Sequence, residues 1–104
     1  MRIYGELIGK LTARSENGLA LLDRTLEVYI TKRKVKFYLF ASNIKGWHKE
    51  TKIIKQMEVT FEHLHFLEKI INEGVKYMEQ TYNLTFSGCI KYNNLCIDYN
   101  NKAS

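Results

Sequence analysis

The sequence predicts an α+β domain in which an antiparallel β-meander of about four strands packs on one long helix, about 60–82, followed by a C-terminal β-hairpin. Two observations support this prediction. Apolar and polar residues alternate with the period of a strand over much of the first half, and apolar residues recur at helical spacing between 64 and 82. With 104 residues, 45% of them hydrophobic, and no linker-like stretch, we expect a single domain, 1–104, with 100–104 as a frayed tail.

The first half of the chain is predicted to form the meander. Its predicted strands are 2–13, 19–30, 35–42 and 51–59. The segment 19–30 fits either a helix or a strand, and the β-branched and aromatic residues at its end favour a strand. A turn is expected at 15–18, a tight connection at Lys32-Arg33 and a basic loop at 43–49.

The helix has recognisable start and stop signals. Thr60 is suited to the N-cap position, Glu62 would lie in the first turn near the positive end of the helix dipole, and Asn83 would end the helix. Gly74 lies inside the helix at a cost of about 1 kcal/mol relative to alanine, which indicates a close approach to the sheet. The apolar face is formed by Leu64, Phe66, Leu67, Ile70, Ile71, Val75, Met78 and Tyr82.

The last segment is predicted to be a hairpin, 84–92 and 95–99, with a tight turn at Asn93-Asn94. Pairing Tyr92 with Leu95 makes Cys89 and Cys96 diagonal neighbours, farther apart than a relaxed disulfide allows. We therefore expect free thiols. Two cysteines without flanking ligands also argue against a structural zinc site.

Positive charge is concentrated in one part of the chain. The net charge is +5, but residues 32–55 contain eight basic residues and one acidic residue, which gives this segment +7. Such a segment attracts polyanions in a salt-dependent way. The alternative interpretation is a solubilising surface whose lysines keep an edge strand from aggregating.

The two middle strands suggest a more specific hypothesis. If Val35, Phe37 and Leu39 point to the core, then lysines and aromatic rings share the other face, which suits single-stranded nucleic acid. The candidate nucleic-acid-binding residues are Tyr29, Lys32, Arg33, Lys34, Lys36, Tyr38, Lys45, Trp47 and Lys49. The alternative is that Tyr38 and Phe40 pack under the helix and that Trp47 anchors its loop to the core. In outline, four antiparallel strands and a long helix resemble whirly-type and related single-strand-binding domains, without a motif that assigns a family.

Catalytic and metal-binding roles are disfavoured. No Walker loop, dinucleotide fingerprint, nucleophile elbow or HExxH helix is present in the sequence. His63 and His65 would point to opposite sides of a helix, and they would share a metal only on a strand. His48, with Lys49 or Glu50, is a weak candidate for nuclease chemistry. We expect no catalytic residues, metal or cofactor.

The function predicted from the sequence is a small basic nucleic-acid-binding module for single-stranded or structured DNA or RNA. A cytoplasmic location, no membrane association and a homodimer are expected with it. The alternative is an accessory or inhibitory factor of a phage or mobile element, of the counter-defence type. Such a factor would dock on a partner protein or sequester a small anionic ligand.

Overall fold

The computed structural model describes residues 3–14 and 20–100, without the side chains of 20–22 and 44–45. Within these residues, six strands form one antiparallel sheet with a helix packed on it, which confirms the predicted α+β class. The strands are β1 (Glu6–Arg14), β2 (Ala20–Ile30), β3 (Lys34–Lys45), β4 (His48–Thr60), β5 (Thr85–Tyr92) and β6 (Leu95–Asp98). The helix, α1, spans Leu67–Tyr82 and follows a 3₁₀ turn at Leu64–Phe66.

The strand order is β4-β3-β2-β1-β5-β6, which places β1 between β2 and β5. Strands β1 to β4 form a meander of consecutive hairpins, and β5 returns after the helix to pair with β1. The ambiguous segment 19–30 is a strand in its described part, because Leu26, Val28 and Ile30 are all buried with the period of two that a strand gives. The turn predicted at 15–18 lies outside the described residues.

The hydrophobic core lies between α1 and one face of the sheet. Side chains from both layers are fully buried there: Leu11, Leu26, Phe37, Leu39, Ile71, Val75, Met78, Phe86 and Ile90. Gly74 lies where α1 crosses β3, and a Cβ atom on it would be 2.2 Å from Cζ of Phe37. The predicted close approach of helix and sheet at Gly74 is therefore confirmed. No helix in the described residues has both the length and the apolar character needed to cross a bilayer.

The helix begins later than predicted. Thr60 is the last residue of β4, and the next residue, Phe61, is buried and donates its backbone N–H to the carbonyl of Arg33 at 2.8 Å. These contacts extend the sheet through the predicted cap, so Glu62 precedes the helix and α1 starts at Leu67. The N-cap prediction for Thr60 was wrong because Thr60 and Phe61 continue the pairing with β3 and its preceding turn.

The predicted loop at 43–49 is instead a pair of strands joined by a two-residue turn. Gly46 has φ +59°, the left-handed conformation that such a turn requires, and Trp47 follows it. In the described residues, β3 pairs with β2 only as far as Ala41, so β3 and β4 then pair only with each other. We call residues 42–51 the β3–β4 arm. From 42 to 46 it extends about 13 Å, at roughly 3.3 Å per residue.

The C-terminal hairpin has the predicted register. Tyr92 pairs with Leu95, Cys89 lies opposite Asp98, and both cysteines are free. The helix before it ends as predicted, since Asn83 adopts the left-handed conformation with φ 54° and donates its backbone N–H to Glu79. The helix stop at Asn83 and the turn at Asn93-Asn94 were therefore sufficient to predict the helix end and the hairpin register.

Candidate nucleic-acid interface

Four of the predicted residues lie together on the sheet face opposite α1, which we call the open face. They are Tyr29, Lys34, Lys36 and Tyr38. Strand register places Tyr29 directly opposite Lys36, while the alternate residues of β3 are buried under the helix. Lys36 Nζ also donates to the backbone carbonyl of Tyr4 at 3.3 Å. The alternative that Tyr38 and Phe40 pack under the helix was wrong, because the pleat of β3 turns both away from it.

The two tyrosine rings of the open face are engaged with each other. Tyr29 and Tyr38 meet edge to face, with ring centroids 5.6 Å apart and planes at 87°. The Tyr29 hydroxyl donates to Glu27 Oε1 at 2.5 Å. Tyr38 is only 9% exposed. Little of the Tyr38 ring surface is therefore available for stacking in this conformation.

Both tyrosine hydroxyls are held in their neutral form. Burial, together with the hydrogen bond to Glu27, raises the pKa of Tyr29 to about 12. Burial and the charge of Glu58 raise the pKa of Tyr38. Both raised pKa values extend the neutral form of these hydroxyls further into the alkaline range.

Ion pairs reduce the positive charge of the open face. Lys34 Nζ lies 3.3 Å from Glu58 Oε2, and Lys10 Nζ lies 3.9 Å from Glu27 Oε2. Lys10 was missed from the sequence because the register of β1 against β2 contains two irregularities that no local pattern reveals. The only signal for it was its polar position beside the buried Leu11.

A second predicted pair lies at the connection between β2 and β3. Lys32 and Arg33 are exposed in a tight turn, where Thr31 donates its backbone N–H to the carbonyl of Lys34 at 2.9 Å. Within the part of the chain that is described, neither side chain takes part in an ion pair. The turn therefore adds two accessible cations at one end of the open face.

The remaining predicted residues lie on the β3–β4 arm. Trp47 is at the tip and is 100% exposed, so the alternative that it anchors a loop to the core was wrong. Lys45 precedes the turn and Lys49 follows it, with the Lys49 side chain exposed. Lys52, at the base of the arm, is also exposed and was not among the predicted residues, although the basic run contained it. Among the described residues, Lys49 and Lys52 form no ion pair.

The predicted residues thus form two groups, one on the open face and its β2–β3 turn and the other on the β3–β4 arm. Lys34 and Lys45 are the first and last residues of β3, so the far ends of the two groups are about 36 Å apart at roughly 3.3 Å per residue. In the open-face group, Lys34 is ion-paired, Lys36 donates to a backbone carbonyl, and the two tyrosine rings pack against each other. The arm group has an exposed indole, and its Lys49 forms no ion pair within the described residues.

The position of β4 also supports the alternative role of the lysines. As an edge strand of the sheet, β4 carries Lys49, Lys52 and Lys55, and its register shifts at Ile54. Lysines and bulges on edge strands both discourage pairing with other chains. Protection of the edge and binding of a polyanion are compatible uses of the same side chains.

The histidines do not have the predicted arrangement. His63 and His65 precede α1, and their rings stack with centroids 5.4 Å apart instead of pointing to opposite sides of a helix. The described residues contain no group of three side chains placed to hold a metal ion. His48 is exposed near the tip of the arm.

Together, the fold and surface define a small α+β domain with a projecting basic arm next to an open sheet face. Comparison with known protein families, curated proteins and solved structures gives no match. The chemistry of the surface is therefore the guide to function.

Proposed function

We propose that this protein is a small nucleic-acid-binding module and that the β3–β4 arm is its main contact surface. The observation that supports this most directly is the fully exposed Trp47 at the tip of an arm with accessible lysines. An indole without any burial gives no packing energy to the fold, and both of its faces are open to an aromatic ligand such as a base. Phosphate contacts from lysines and base contacts from an aromatic ring are the two components of single-strand recognition.

The distribution of charge supports a polyanionic ligand. Lys32 and Arg33 at one end of β3, and Lys49 and Lys52 near the other, are exposed and outside the ion pairs of the described residues. A backbone that contacts both ends would follow β3 and β4 along their length. Each neutralised phosphate releases counterions, so affinity would fall steeply with salt concentration.

Fluorescence anisotropy of labelled DNA and RNA oligonucleotides tests this proposal. We expect micromolar or tighter binding at about 50 mM salt that weakens strongly by about 200 mM. The double variant Lys49→Glu, Lys52→Glu should bind at least tenfold more weakly. No binding of the wild-type protein at the lower salt concentration would contradict the proposal.

A matched control separates local contacts from total charge. Lys69→Glu, Lys76→Glu changes two exposed lysines of α1 and lowers the net charge from +5 to +1, as the arm variant does. We expect the control to retain most of the affinity. Equal losses in the two variants would indicate nonspecific attraction to the whole protein and no defined interface.

A protein-binding function is the second candidate, and a separate apolar surface favours it. Leu64 and Phe66, just before α1, are 57% and 46% exposed. Leu64→Ser and Phe66→Ser should impair binding of a partner protein while leaving nucleic-acid affinity unchanged. Loss of nucleic-acid binding in these variants, with the fold intact, would contradict the assignment of that function to the arm.

The proposed role is binding without catalysis, in the cytoplasm, by a homodimer. Exposed apolar residues such as Leu64 would be covered by self-association, which would help so small a core. Light scattering tests the dimer: a mass equal to one chain at micromolar concentration would reject it. Incubation of the oligonucleotides with protein and divalent cations tests the absence of nuclease activity.

A further inference from the structure

The aromatic rings of the open face and of the arm differ in how much ring surface is exposed for stacking with a base. A base can stack only on an exposed ring face, and Tyr38 is 9% exposed while its neighbour Tyr29 is packed against it edge to face. Trp47 is fully exposed, at the end of a two-residue turn. Stacking on the tyrosines would first require their separation, whereas stacking on Trp47 requires no rearrangement of the described neighbours.

Whether Trp47 favours a paired or an unpaired base depends on two free energies: the gain from stacking and the cost of unstacking a duplex. Stacking of one base on an aromatic ring contributes about 1–3 kcal/mol. Inserting a side chain into a duplex costs roughly a few kcal/mol per unstacked step, and proteins that do so recover it by wrapping bent DNA around a large surface. Because the arm is only two strands wide, it has little surface around which bent DNA could wrap. Insertion of Trp47 into a duplex would therefore gain nothing, while an unpaired base would stack without the unstacking cost.

We infer that the ligand of the β3–β4 arm is an unpaired nucleotide, which stacks on Trp47 while arm lysines contact the flanking phosphates. This inference rests on the proposed function and specifies its ligand class as single-stranded nucleic acid, including loops and strand ends. The open-face tyrosines do not stack with bases in this arrangement. Lys49 lies two residues after Trp47 on the arm, and its side chain is exposed.

The sequence provides a built-in probe for this inference. Trp47 is the single tryptophan of the chain, so tryptophan emission reports on the tip of the arm alone. Titration with an unlabelled thymidine oligonucleotide should quench that emission at the concentrations at which anisotropy detects binding. A duplex of the same length should bind more weakly and leave the emission nearly unchanged.

Variants of the tip complete the test. Trp47→Ala should weaken single-strand binding roughly five- to 150-fold, the equivalent of about 1–3 kcal/mol. Trp47→Phe should recover most of that loss, and Tyr77→Ala, which alters an exposed aromatic residue of α1, should have no effect.

The outcomes separate the inference from the proposed function. Salt-dependent binding with unchanged Trp47 emission, or duplex binding at least as tight as single-strand binding, would overturn the inference and leave the proposed function standing. No binding of any nucleic acid would overturn both.

Discussion

Replacing Gly74 with alanine tests the packing of helix on sheet. Alanine should improve the helix by about 1 kcal/mol, since glycine is a poor helix former. The new Cβ, however, would lie 2.2, 2.5 and 2.7 Å from three ring atoms of Phe37, where carbon atoms pack best at about 3.5–4.0 Å. Phe37 is fully buried, so its ring would have to move by about 1 Å within a close-packed core.

Overpacking of this kind costs about 1–3 kcal/mol, and three close contacts place Gly74→Ala near the upper end of that range. After subtraction of the helix gain, we expect a net loss of about 1–2 kcal/mol in the free energy of unfolding. For a domain of this size that corresponds to a fall in Tm of roughly 4–16 °C. Urea unfolding followed by circular dichroism measures it directly.

Two further variants make the test of Gly74 specific. Gln80→Ala, at an exposed position of α1, should be neutral or slightly stabilising. In a double-mutant cycle, Phe37→Leu should relieve the clash, so the double variant should be more stable than the sum of the single losses predicts. An increase in stability of about 1 kcal/mol for Gly74→Ala alone would refute the reasoning, because only the helix propensity would then be acting.

Three other predictions follow from local contacts. Tyr99 donates its hydroxyl to Asn72 Oδ1 at 2.5 Å, and Tyr99→Phe should cost roughly 1 kcal/mol. Burial raises the pKa of Tyr99 from 10.0 to about 12, so the folded state favours the protonated form and stability should fall as pH rises from 10 towards 12. Urea midpoints should show a smaller fall in Tyr99→Phe, and equal falls would contradict this. Asn83→Ala should destabilise by about 1 kcal/mol in thermal unfolding because of the left-handed backbone, whereas Asn83→Gly should not. Cys96 is exposed, whereas burial raises the pKa of Cys89, so a disulfide reagent should modify Cys96 faster. Serine variants of each cysteine identify the faster thiol, and equal rates would argue against this assignment.

Much of the fold could be predicted because local signals and tertiary contacts agree. The alternation of Val35, Phe37 and Leu39 with polar residues matched their burial, and it assigned Tyr38 to the opposite face correctly. In the last hairpin, Asn93 adopts φ 53°, a conformation that asparagine tolerates well, so the turn determined the register. These features depend on residues close together in the chain.

The predictions that failed concern features set by contacts between strands. Thr60 has the chemistry of a helix cap, but its strand position follows from pairing with Lys34, which no local pattern indicates. The strands of the arm were missed although their pairing is local, because residues 43–49 show no strand-like alternation and resemble a polar loop. The low exposure of Tyr38 could not be predicted from the sequence either. The ring of Tyr29, which packs against it, belongs to another strand.

The position of β1 inside the sheet has a consequence for synthesis of the chain. Arg14 pairs with Thr85 and Gly9 with Ile90, which are 71 and 81 positions apart. During translation the meander can form from local hairpins, but one edge of β1 must wait for β5 while the nascent chain lengthens. Unpaired strand edges can pair with strands of other chains. The nascent chain is therefore most prone to aggregation during this interval. Ribosome-bound chains stalled after Thr60 should therefore be more protease-sensitive at β1 than chains long enough to expose β5, and the latter should acquire their protection abruptly.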